Sequence, residues 1–297
     1  MIRIGEPVFR SVQGEGIRTG VLSIWVRFFG CNLECNGFMQ DHPNDKSSWE
    51  LPQFIDASMY KSIKDLPVFE KGCDSGYSWS KKFKHLATTY KDADEFYRKE
   101  INDFLYRSTM DGRGSWINPF TKNEMDLCFT GGEPMLWQKQ IVDIYQTILE
   151  YGNGPRCIQI ETNGTQSIGK DFLDWYKHGS FQLCWNISPK LLNVAGEKPS
   201  RAWKPHVIKE YYDLNPYGHL KFVMNADNRS WTELDQRVAE LRDMGVDFPV
   251  YVMPVGATKD QQENSSVISQ IANIAIQKGY HVSGRLHAII WKNTVGV

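Results

Sequence analysis

Apolar runs that break off directly into a polar or glycine-rich loop recur along this chain, and they constrain its fold more than any other feature. Runs at 22–29, 125–130, 156–161, 181–187, 219–224, 249–253 and 281–287 read as strands, each bounded by turn residues. Helical spacing lies between several of them. Ile141, Ile144, Tyr145, Ile148 and Leu149 share one helix face, and Gly152 follows as a stop. Ser230 with Glu233 reads as a capping box ahead of Leu234, Val238 and Leu241, with Gly245 closing the segment. Strands alternating with helices predict an α/β chain built on parallel strands. The segments "TGGEP" (130–134), "ETNGT" (161–165), "SPK" (188–190) and "MPVG" (253–256) each follow an apolar run. All of them therefore sit at carboxyl ends of strands, the rim where β/α barrels and doubly wound sheets bind their ligands.

A chain of 297 residues, 41% hydrophobic, can fill one large core, and a single domain spanning 1–297 is expected. The stretch from about 39 to 120 breaks the alternation. It is rich in Lys, Asp, Ser, Tyr and Trp, with one amphipathic helix through Tyr97, Ile101, Phe104 and Leu105, and reads as an insertion packed on the main body. With 34 basic against 35 acidic residues the net charge is -1, so no broad electrostatic footprint for nucleic acid or an anionic membrane is expected. A small-molecule substrate fits better. The start "MIRIGEPVFR" lacks the pattern of a signal peptide and no apolar run approaches a membrane span, so a cytoplasmic protein is expected.

Six cysteines in such a chain do not read as a disulfide framework. Cys128, Cys157 and Cys184 lie inside strand-like runs, where thiols are ordinarily buried packing. Cys31, Cys35 and Cys73 lie in loops rich in Gly, Asn and Asp and are the candidates for chemistry. Trp25 and Trp185 read as core, and His219 as a turn residue ahead of a strand.

Taken together, "GCNLEC" (30–35), "TGGEP" and "SVQGEG" (11–16) resemble the radical S-adenosylmethionine (SAM) enzymes, and among them the 7-carboxy-7-deazaguanine synthase family. In that family the first loop commonly ends in a third cysteine, an aspartate and a Thr or Ser, whereas Phe38-Met39-Gln40 stand at that point here. "CDSGYSW" at 73–79 supplies the ending instead, displaced by residues 36–72. The resemblance implies a modified partial (β/α)6 barrel in which Cys31, Cys35 and Cys73 hold a [4Fe–4S] cluster. Three thiolates leave one iron open, where the amino and carboxylate groups of SAM can chelate. Reductive cleavage of SAM would then supply the radical, so that the hard chemistry belongs to the cofactor.

Residue by residue, the resemblance implies that Gly131, Gly132 and Glu133, with Ser188, Pro189 and Lys190 and more loosely Met253 and Pro254, contact SAM. It implies that Val12, Gln13, Gly14, Glu15, Arg27, Thr130 and Val297 hold a pterin substrate, with Glu15 and Arg27 catalytic and Arg27 gripping a carboxylate. Ser75 would ligate Mg²⁺, and Glu161 and Asn163 are further candidates at a strand end. The closing "RLHAIIWKNTVGV" is similar to the carboxyl-terminal segment of some members, and its last residues would close over the substrate.

The implied reaction is the ring contraction of 6-carboxy-5,6,7,8-tetrahydropterin to 7-carboxy-7-deazaguanine with release of ammonia, a lyase step of 7-deazapurine and queuosine biosynthesis. An external flavodoxin-like or ferredoxin-like donor would supply electrons, and a homodimer is implied. Two other readings share the cysteines: a radical SAM activase that makes a glycyl radical on a partner protein, and a non-catalytic module stabilised by zinc with His42 or His85 recruited as a fourth ligand.

Overall fold

The computed structural model describes residues 1–50, 56–107 and 114–294. Val297 lies outside them. The first segment forms strands β1 (Ile2–Ile4), β2 (Phe9–Val12) and β3 (Leu22–Phe28), and β4 (Thr88–Tyr90) and helix α1 (Ala93–Phe96) follow much later in the chain. Strands β5 (Tyr106–Arg107) and β6 (Gly114–Ser115) pair only with each other. Then the alternation sets in: β7 (Asp126–Gly131), α2 (Gln138–Tyr151), β8 (Cys157–Thr162), α3 (Lys170–His178) and β9 (Gln182–Ile187). Short helices α4 (Leu192–Ala195) and α5 (Pro199–Ala202) precede α6 (Pro205–Leu214), β10 (Gly218–Met224), α7 (Asn228–Asp243) and β11 (Val250–Pro254). The chain continues through α8 (Lys259–Glu263), α9 (Ser265–Gln277), β12 (His281–Val282) and α10 (Leu286–Trp291).

The main sheet runs β12-β11-β10-β9-β8-β7-β3-β1-β4. Every pairing from β3 to β12 is parallel, while β1, β2 and β4 add antiparallel edges beside β3. Parallel strands are covered on both faces, which is why "DLCFTG" and "QLCWNI" read as unbroken apolar runs rather than alternating ones. Cys128 and Cys184 are fully buried there, and Cys157 nearly so. Helix α2 turns Ile141, Ile144, Tyr145 and Ile148 inward and stops at Gly152, as its spacing predicts, whereas Leu149, expected on the same face, is exposed. Among the described residues no helix is long and apolar enough to cross a membrane.

Local readings differ in places. The expected strand at 281–287 is two residues long, and Leu286 opens α10. The expected capping box at Ser230 and Glu233 does not form. Asp227 caps α7 by accepting from Arg229 N–H, and Ser230 bonds Asn225 and Asp227. The Glu233 carboxylate instead receives the Leu192 and Asn193 N–H groups at the start of α4. Around Tyr97–Ile101 the helix widens to i→i+5 bonding and then tightens over Asn102–Phe104.

The stretch from 39 to 120 divides between two cores. Tyr90, Phe96, Tyr97, Ile101, Leu105 and Trp116 join the main core, whereas Ala57, Ile63, Leu66, Phe69, Tyr77 and Phe83 form a small core of their own. At the base of this excursion Gly72 N–H donates to Phe38 C=O at 2.8 Å. The long detour therefore closes on itself, and Cys73 emerges beside the position where the first loop breaks off.

Candidate active site

The register of the parallel strands delivers side chains to one rim in pairs, two of them polar, Arg27 opposite Thr130 and Glu161 opposite Asn186, and one apolar, Val223 opposite Met253. They line a cavity of about 230 Å³ at the carboxyl ends of the strands. Cys31, Cys35 and Cys73 face it together with Ser75, Gln13, Glu15 and Lys190.

The thiol wall is built by three segments. Glu197, buried beneath the first loop, accepts from Glu34 N–H at 2.7 Å and Cys35 N–H at 2.8 Å, which holds Cys35 at a positive φ of 53°. Leu33 N–H donates to Cys31 Sγ and Trp79 Nε1–H to Cys73 Sγ, both at 3.4 Å. Leu33, Ala195 and Ala202 back the three thiols with apolar surface. Burial pushes the Cys31 thiol up to about 12, with the Glu133 charge adding to it, and the Cys73 thiol up to about 11, with Asp74 adding; Cys35 is raised by burial and by Cys73. Such thiols stay protonated until a cation takes the proton's place. Among the described residues no three His, Cys, Asp or Glu side chains converge closely enough to hold one metal ion. Three soft donors lining one cavity, Cys31 and Cys73 each accepting an N–H···S bond, fit an iron–sulfur cluster.

The glycine turn is required by packing between backbones. A Cβ on Gly131, at φ 140°, would lie 2.3 Å from Phe28 O, and one on Gly132 would lie 2.2 Å from Gly30 O and 2.7 Å from Cys31 Cβ. The two glycines thus let the β7 loop lie against the cysteine loop. Glu133, expected at the cofactor, is fully buried and accepts from Thr162 Oγ1–H, Asn163 N–H and Met135 N–H. It organises the β7 and β8 loops from behind. Pro189, Pro254 and Gly14 are likewise buried behind the lining side chains, whereas Ser188, Lys190 and Met253 face the cavity.

Opposite the thiols lies a dense set of charges. Arg27 uses Nε on Glu6 and turns Nη1 toward Ser75 Oγ at 3.4 Å. Thr130 Oγ1–H donates to Glu161, which also receives Gln13 Nε2–H. Glu15 is ion-paired to Lys221, with Arg285 at 3.3 Å. Burial alone would raise the Glu15 carboxyl, but the charges of Lys221 and Arg285 outweigh it and hold it down to about 2. Burial lowers His219 to about 3 and His287 to about 4, with nearby Lys221 and Arg285 respectively adding to the effect, so both imidazoles are neutral at pH 7.

Lys221, Arg285 and His287 were not singled out by the sequence reading. The signal for Lys221 was present: one lysine in the apolar run "HLKFVM" of a covered strand requires a partner. His219 is also corrected. It is a buried strand residue whose Nδ1 has no hydrogen-bond partner among the described residues, and its Nε2 occupies the space a Cβ on Gly16 would need. Trp185 is core as read, while Trp25 forms part of the cavity wall and stacks on Phe9.

Curated relatives carry a common name across almost the whole chain. A 7-carboxy-7-deazaguanine synthase of Pyrobaculum aerophilum is 23% identical, covering 99% of this chain and 97% of its own. That of Hyperthermus butylicus is 25% identical over 98% and 93%, and that of Halobacterium salinarum 24% over 97% and 90%. Over nearly its full length this chain is similar to the 7-carboxy-7-deazaguanine synthases. A solved structure of QueE from Escherichia coli shares its fold, with a TM-score of 0.50 at 18% identity over 96% of this chain and 94% of the other. No protein-family model matches the chain. The shared fold agrees with the one expected from the motifs: a mixed α/β chain around a mostly parallel sheet.

Proposed function

We propose that this chain is a radical SAM lyase that contracts 6-carboxy-5,6,7,8-tetrahydropterin to 7-carboxy-7-deazaguanine with release of ammonia. The observation that carries the reading is one cavity lined on one side by three thiols and on the other by Arg27, Gln13, Glu15 and Thr130. Cys31, Cys35 and Cys73 would hold the [4Fe–4S] cluster. Ser188, Lys190, Met253 and the backbone at Gly131 and Gly132 would contact SAM. When bound, cluster and SAM together supply the radical that abstracts hydrogen from the substrate.

The chain's own residues bind and orient. The free Nη edge of Arg27 is suited to a substrate carboxylate, because Glu6 already fixes the guanidinium through Nε. Gln13, Glu15, Thr130 and Glu161 offer convergent donors and acceptors to a planar heterocycle. Glu15, held ionised by Lys221 and Arg285, accepts hydrogen bonds from ring N–H groups at any pH the enzyme meets. Ser75, beside Asp74 and Arg27, is the proposed protein ligand of Mg²⁺ next to the substrate carboxylate. Residues 1–297 act as one domain, with the excursion after Cys35 delivering Cys73. A cytoplasmic homodimer served by a flavodoxin-like or ferredoxin-like donor completes the proposal.

The decisive experiment is anaerobic turnover of the carboxy-tetrahydropterin with SAM, Mg²⁺ and a strong reductant, followed by mass analysis. Loss of ammonia with retention of the carboxyl group is expected. Unchanged pterin with normal SAM cleavage would sink the substrate assignment. In the same assay Ser75→Ala is expected to raise the Mg²⁺ concentration for half-maximal turnover about tenfold while leaving the cluster spectrum and SAM cleavage in place. Equal loss of SAM cleavage would place Ser75 in the support of the thiol loop instead.

A further inference from the structure

The carboxyl-terminal segment is fastened across the site by few bonds, and their placement is informative. Leu286 N–H donates to Gly14 O at 3.0 Å, and Ser283 Oγ accepts from Gly16 N–H at 2.9 Å. A Cβ on Gly14 would sit 2.2 Å from His287 Nδ1, so the segment lies directly on the loop 13–16. Beyond this point α10 exposes Ile289 and Ile290 and gains little from burial. Arg285, one residue before α10, makes the long-range contacts. Its Nη2 donates to Asp74 Oδ2 at 2.7 Å, its Nη1 to Gly256 O at 2.9 Å, and its Nε lies 3.3 Å from Glu15 Oε1.

Asp74 stands between Cys73 and Ser75, in the loop that the long excursion brings back to the rim. Among the described residues its short, charged hydrogen bond comes from the guanidinium, and Ser75 Oγ–H donates to it at 3.3 Å. A planar fork that binds a carboxylate and a carbonyl fixes orientation as well as distance. We infer that Arg285 is a positioning residue, a latch through which the carboxyl-terminal segment and the Cys73–Ser75 loop order each other across the cavity. Each segment has its own weaker anchors, so the latch couples two local equilibria rather than holding up the fold. The consequence is that closing the segment over loop 13–16 and seating the third thiol are one event.

This inference does not depend on the proposed reaction, and its test needs no turnover. Hydrogen exchange read by mass spectrometry on the full, cluster-loaded chain would follow residues 72–79 and 285–291, with α2 as an internal standard. Arg285→Gln is expected to speed exchange in 72–79 about tenfold, and Asp74→Asn to speed it in 285–291 by a similar factor, α2 being unmoved in both. The double variant should exchange no faster in either segment than the single ones. Arg285→Lys, which keeps the charge but not the fork, should fall between. If Arg285→Gln does not fold, Asp74→Asn alone decides, since it alters a partly exposed loop residue. Unchanged exchange in 285–291 for Asp74→Asn, or double-variant effects equal to the product of the single ones, overturns the latch.

Discussion

Cys73→Ala is expected to remove the cluster as completely as Cys31→Ala or Cys35→Ala, despite lying so far along the chain from the other two. The physical reason is local. Gly72 is bonded to Phe38 at the base of the excursion, so Cys73 faces the same cavity as Cys31 and Cys35. With one of three thiolates gone a second iron is unprotected, and among the described residues no fourth cysteine lines the cavity to replace it. Iron content after anaerobic reconstitution should fall to background, the broad visible absorption should vanish, and turnover should go with it. Cys128→Ala is the matched control. It deletes a fully buried sulfur from β7 at a cost of about 1 kcal/mol in packing and leaves iron loading unchanged. Normal iron in Cys73→Ala would mean that the first loop finds its third ligand elsewhere.

The positions of the thiols could be read from the sequence because each lies in a short motif whose neighbours are themselves constrained. The rim was legible for a related reason. Covered parallel strands are largely apolar, so the point where "DLCFT" gives way to "GGEP" marks a strand end whatever the rest of the chain does. The charge network was not legible in this way. Glu15, Lys221, Asp74 and Arg285 come from four separate places in the sequence, and no local pattern says which ions will meet. For Glu133 the motif gives the neighbourhood but not the direction of the side chain. Its carboxylate turns back to cap the Asn163 and Met135 N–H groups. The false capping box at Ser230 shows the same limit: Asp227 competes for the helix start, and Glu233 is drawn off by a segment some forty residues earlier.

Lys221→Met is expected to damage stability and substrate affinity together, since both depend on Glu15. The two side chains are each about nine-tenths buried and directly ion-paired, so the substitution leaves a carboxylate in a poorly solvated place with Arg285 as its remaining cationic contact. Removing one member of a buried pair costs roughly 3 kcal/mol, against less than about 0.5 kcal/mol for Lys209→Met, which breaks the exposed helix pair with Asp213. The pH dependence carries a definite sign. Glu15 is held down to about 2 in the folded chain, so its contribution is fully present above the ordinary carboxyl value of 4.5 and is lost as pH falls toward 2. Lys221 is raised above its ordinary value, so its contribution is fully present below 10.5 and lost only at higher pH. Between these limits the wild-type advantage is constant. Urea unfolding should therefore show the largest gap between wild type and Lys221→Met near pH 7, and the gap should close as pH falls through the carboxyl range. In the folded variant Glu15 takes up a proton more readily, so the KM for the pterin should rise at least about tenfold and become pH-dependent where the wild-type value is flat. A gap in stability that stays constant down to pH 3 would show that Lys221 contributes through packing of its aliphatic stem and not through Glu15.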